Sequence, residues 1–170
     1  MNPDIFLDDF EITENTQELH AILGRCMIVA THFDQLCERT SKYLELKNSF
    51  AILTDSQVFQ SYTIELTSKF RALSNSIDSL PINNDLKATL HEARKARNEI
   101  VHDLAIGLTG CLEKNIDESN FKSQLARLIQ DVTAGDYAIS MILSLFNHEP
   151  VLQQSSAEYQ DKVLKWVLGE

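Results

Sequence analysis

Apolar residues recur along this chain at steps of three and four, the spacing of one face of an α-helix. The first stripe, Leu19, Ile22, Leu23, Cys26, Ala30, Phe33, Cys37, Thr40 and Leu44, predicts a long helix over about residues 16–46. Thr54-Asp55-Ser56 offers N-cap oxygens for a second helix, which carries Val58, Phe59, Tyr62, Leu66, Phe70, Leu73, Ile77 and Leu80 and ends at Pro81. Asn83 or Asn84 caps a third, with Leu86, Leu90, Ala93, Val101 and Leu104 on its face and Gly107 and Gly110 beyond it. A turn at 115–117 leads into a fourth, bearing Phe121, Leu125, Leu128, Val132, Ile139, Ile142 and Phe146 and stopped by Pro150. Ser155-Ser156 opens a short fifth helix with Tyr159, Val163, Trp166 and Val167. Four long amphipathic helices plus a short C-terminal one predict an all-α, up-and-down bundle. It is expected to be a single domain over residues 1–170, with 1–14 an acidic, loosely ordered arm.

One position breaks this pattern. On the third helix the stripe Leu86, Leu90, Ala93 continues to residue 97 and then to Val101 and Leu104, yet residue 97 is Arg. A guanidinium on a core-facing stripe is costly unless it is paired, hydrogen-bonded or opens onto a cavity or interface. Asp34, Glu38 or Glu45 on the first helix are the available carboxylates. Asn98 and His102, spaced i, i+4, should share a face, whereas Arg97 and His102 would lie about 140° apart on an α-helix. One helix thus offers a guanidinium, an amide and an imidazole along one edge but not a closed cluster. A second copy of the helix would complete it.

Composition narrows the chemistry. The net charge is −10, of which residues 1–18 supply −6 through Asp4, Asp8, Asp9, Glu11, Glu14 and Glu18. That disfavours broad electrostatic binding of nucleic acid. Around the odd helix the balance reverses: Lys87, Arg94, Lys95 and Arg97 face only Glu92 and Glu99, with His91 and His102 alongside. An acidic protein with one basic patch suits a compact anionic site. Arg94 and Lys95 are either solvated charges or contacts to substrate phosphate. His32 reads as a core-edge residue, with lining the site as the alternative.

Cys26, Cys37 and Cys111 form no CxxC; their odd number and the lack of a basic-then-apolar leader point to a reducing cytoplasm. No apolar run is long enough for a membrane span. His20, His91 and His148 have no metal-ligand spacing, and there is no GxxxxGK[ST], GxGxxG or GxSxG, so no cofactor or metal is expected.

Arg97-Asn98-Glu99-Ile100-Val101-His102 places a polar residue straight after the Arg and four residues between Arg and His, late in the third long helix of a bundle of this size. In this it resembles the HEPN domain family (higher eukaryotes and prokaryotes nucleotide-binding). The resemblance implies a metal-independent endoribonuclease whose site forms at a homodimer interface. It implies RNA as substrate, a role as toxin or stress and anti-phage effector, and a cognate antitoxin or regulator as partner. Carried onto this chain, His102 exchanges protons with the 2′-hydroxyl or the leaving 5′-oxygen, its ordinary pKa of about 6.5 suiting that work. Arg97 stabilises the charge that builds on phosphorus, and Asn98 orients the His or the substrate. Some toxin members carry a modifiable Tyr two residues after the His; here that position is Leu104. The family also holds members without catalysis. The alternative is therefore a silent helical module that binds protein or nucleotide, with Arg97 as a structural ion pair.

Overall fold

The computed structural model describes residues 14–49, 56–104, 118–150 and 153–170, and among these the protein is an all-α bundle with no strand. Its helices are α1 (Glu14–Ser49), α2 (Ser56–Lys69), α3 (Leu73–Ser79), α4 (Asn84–Asn98), α5 (Glu118–Asn147) and α6 (Ser156–Leu168). A π-helical turn, Glu99–Leu104, extends α4. No helix among the described residues is long and apolar enough to cross a membrane. The expected arm before residue 14, the turn at 115–117, Gly107, Gly110 and Cys111 lie outside the described residues, as do Thr54 and Asp55 of the expected cap.

The hydrophobic periodicity closes into one core. From α1 come Leu19, Ile22, Cys26, Phe33 and Cys37; from α4, Leu90 and Ala93; from α5, Leu125, Ile129, Val132 and Ile139; from α6, Val167. α5 is the central element, packed against α4, α1 and α6, while α3 bridges α1 and α4. Local chemistry sets the ends. The Asn83 side chain accepts from the Leu86 N–H at 2.9 Å, which starts α4. Ser155 and Glu158 form a capping box at the start of α6, and Gly169, at φ 81°, closes that helix in the left-handed region.

Two features depart from the apolar pattern. The stripe from Phe59 to Leu80 predicts one helix, but the chain folds it as α2 and α3 with a break at 70–72. The reason is local: Asn75 Nδ2 and Ser76 Oγ donate to the carbonyls of Lys69 and Phe70, giving those groups partners outside the helical ladder. Phe59 and Leu86, placed on buried stripes by spacing alone, are exposed.

A close approach in the core lies where α4 and α5 meet under α1. A Cβ added at Gly135 would collide with Cβ of Ala93 and press on the Phe33 ring at 3.0 Å. This small-residue seat lets α4 lie close against α5, so it also fixes where Arg97, one turn beyond Ala93, emerges. Gly135→Ala should therefore lower stability by about 1–3 kcal/mol in denaturant unfolding, as overpacking does. A neutral or stabilising result would show that the helices sit further apart than described.

Candidate functional site

Arg97 lies in the last turn of α4, one residue before its end, and its partner is Asp34 on α1, through Nη2 and Oδ2. Each side chain is only about a quarter exposed, at 23% and 24%. Glu38 and Glu45, the other carboxylates in reach by sequence, pair instead with Lys42 and Lys69. Arg97 Nη1 also donates to Oδ1 of Asn98 at 3.0 Å, so the amide steadies the guanidinium. The pair is half made: Asp34 Oδ1 and Arg97 Nε are both buried with no hydrogen-bond partner. A side-on fork would have used both.

Burial acts on this pair more strongly than attraction does. The Asp34 carboxyl is pushed above its ordinary range, first by desolvation and further by the nearby Glu38 charge, with Arg97 pulling only partly the other way. The counterion of the guanidinium is thus held at a cost.

Around the pair lies a cavity of about 340 Å³, open between α1, α3 and α4. Arg71, Arg94 and Arg97 bring three guanidiniums to its wall, beside Asn98 and the hydroxyl-bearing Ser74 and Ser76. Asp34 and Glu38 are its two carboxylates. Arg94 is steadied through Nε by Nδ1 of His91 at 3.4 Å, and His91 holds Asp78 at 2.9 Å through Nε2. Such a wall suits a compact anion, with forked donors matched to phosphate or carboxylate oxygens.

Of the residues picked out by sequence, Arg94, Arg97 and Asn98 meet at this cavity. Lys95 does not: it pairs with Glu92 at 2.7 Å on the outer face of α4, where both side chains are exposed. His102 is exposed on the π-helical turn, outside the cavity lining. The turn nevertheless changes its relation to Arg97. An i→i+5 turn rotates the chain less per residue than an α-helix, so the fifth residue comes closer to a full turn. Arg97 and His102 therefore converge toward one edge, nearer than the about 140° of α-helical spacing. Glu99, which opens the turn, accepts from Gln124 of α5 at 3.0 Å.

Arg71 was missed by sequence reasoning because it lies in the unforeseen break between α2 and α3. His32 turns away from the cavity and bonds Asp136 on α5. Among the described residues no group of three His, Cys, Asp or Glu is placed to hold a metal ion. Burial pushes the Cys26 thiol up to about 12 and Cys37 higher still, which leaves both thiols inert at neutral pH.

A carboxyl raised in the folded state holds its proton more tightly there than in the unfolded chain. Its stabilising contribution is then full below the ordinary carboxyl range and declines as pH rises through its folded value. Wild type should accordingly lose stability relative to Asp34→Asn as pH rises from about 4 to 7, read by thermal melts of both proteins. A wild-type advantage that grows with pH would mean that the Arg97 attraction outweighs burial.

No family model, no curated protein and no solved structure matches this chain.

Proposed function

We propose that this protein is a metal-independent endoribonuclease of the HEPN type, acting in the cytoplasm as a toxin or defence effector under a cognate regulator. One observation carries the reading: Arg94, Arg97 and Asn98 of the motif helix line a guanidinium-rich cavity, with His102 exposed on the π-helical turn beside it. The cavity supplies forked donors for a phosphodiester. The exposed imidazole supplies a group that can accept and donate a proton.

In the reaction the 2′-oxygen of the RNA attacks the adjacent phosphorus while His102 takes its proton. The 5′-oxygen leaves with a proton returned by the imidazolium or taken from water, giving a 2′,3′-cyclic phosphate and a 5′-hydroxyl. Arg97 meets the charge developing on the phosphoryl oxygens, and Asn98 holds that guanidinium in place. His102 stands outside the cavity of its own chain, so a second copy facing it across a homodimer interface brings an imidazole to each guanidinium-lined cavity.

A second reading has its own observation. The Arg97–Asp34 pair is largely buried and already occupies one arm of the guanidinium. That favours a structural role for Arg97 in a silent interaction module.

Cleavage of mixed tRNA and structured RNA in EDTA, with the product ends mapped, separates the two. The nuclease reading expects cyclic-phosphate ends from wild type, DNA left intact, and a loss of about 100-fold or more in His102→Ala. That variant should melt as wild type does, because the ring is exposed. Arg97→Ala should lose cleavage and also on the order of 2 kcal/mol of stability, since it strands the Asp34 carboxylate. RNA left uncut by wild type, or cut equally by His102→Ala, would overturn the nuclease reading in favour of the module.

A further inference from the structure

On α1, two residues before Asp34 and about 200° round the helix from it, His32 enters a different network. Its Nδ1 lies 2.8 Å from Oδ1 of Asp136 on α5, and Tyr159 of α6 donates its hydroxyl to Oδ2 of the same carboxylate. Three helices thus meet on one acid. Asp136 is 1% exposed, whereas the His32 side chain is 57% exposed. A carboxylate only accepts, so in the neutral ring Nδ1 carries the proton and the lone pair sits on Nε2. No described residue hydrogen-bonds that nitrogen. Burial and the Asp136 carboxylate hold the Tyr159 phenol far above its ordinary range, so it stays a donor.

We propose that His32 is a phosphoryl-acceptor site, with Nε2 as the nucleophile and an activated phosphoryl group as its substrate. In the step, the Nε2 lone pair forms a bond to phosphorus as the bond from phosphorus to its leaving group breaks. With phosphoramidate as donor, the phosphorus–nitrogen bond breaks and ammonia departs. The product ring bears substituents on both nitrogens and is cationic. Asp136 stands against Nδ1–H to balance that charge, as a buried carboxylate does for an imidazolium formed in catalysis.

Solvent exposure decides between kinds of electrophile. His32 lines neither the cavity by Arg97 nor the one bounded by Thr63, Thr67 and Arg71, and its side chain is 57% exposed. Its geometry suits stoichiometric capture. A phosphoryl group on Nε2 keeps its negative oxygens in water, whereas an acyl group there would be exposed to hydrolysis. A metal ion would find only one free nitrogen.

The chain contains its own controls. His20 and His148 are exposed like His32, and neither has a carboxylate partner among the described residues. The full-length protein is treated with phosphoramidate near neutral pH, and labelling is followed by phosphorus NMR and by mass mapping of each histidine. His32 should be labelled about tenfold faster than His20 or His148. Asp136→Asn should bring it down to their rate, and Tyr159→Phe should slow it by a smaller factor. Equal labelling of the three histidines in wild type overturns the proposal without reliance on any variant's folding, as does undiminished labelling in a folded Asp136→Asn protein.

Discussion

The contact between Arg97 and Asp34 is the constraint around which this bundle is arranged. It puts a permanent charge on the stripe of α4 that otherwise packs into the core, and it answers that charge with a carboxylate from the opposite helix. The answer is incomplete: one oxygen and one nitrogen of the pair remain buried without partners, and burial shifts the carboxyl further than the guanidinium restores it. Such an arrangement does little for stability compared with two apolar residues of similar size. What it maintains is a cationic wall at the mouth of a cavity between α1, α3 and α4. The close seat of Gly135 against Ala93 holds α4 in the position that this wall requires.

Much of this was legible in the sequence. The helical faces followed from spacing because nearly every apolar position on α1 and α5 had a neighbour to bury against. Arg97 stood out by the same rule, and Asp34 was among its foreseeable partners. The same rule, applied to α5, points to Asp136: it falls between Val132 and Ile139 on a buried stripe, where an acid needs partners as much as Arg97 does. Those partners, His32 and Tyr159, lie 104 and 23 residues away, and only the packing of α1 and α6 on α5 brings them together. Arg71 was illegible because the break that places it comes from side chains bonding freed carbonyls, not from Gly or Pro. The π-helical turn was equally hidden. Glu99–Leu104 reads as ordinary helix, yet the wider turn alters the angle between Arg97 and His102.

α1 emerges as the organising helix. Asp34 faces the guanidinium-lined cavity, Phe33 fills the core beneath Gly135, and His32 turns outward on its buried acid. Three consecutive residues therefore serve a guanidinium-lined wall, the packing and an exposed imidazole. Helical rotation places the two polar environments on different faces of α1. This division is consistent with the proposed ribonuclease chemistry on the α4 side.

On the proposed reading, the guanidinium of Arg97 is retained for what it offers a ligand and not for what it adds to the fold. The direct measurement is RNA cleavage by the double variant Arg97→Met, Asp34→Leu, which replaces both charges with apolar side chains. The expected result is a protein at least as stable as wild type that cuts no RNA. A stable double variant that cleaves at the wild-type rate would contradict it.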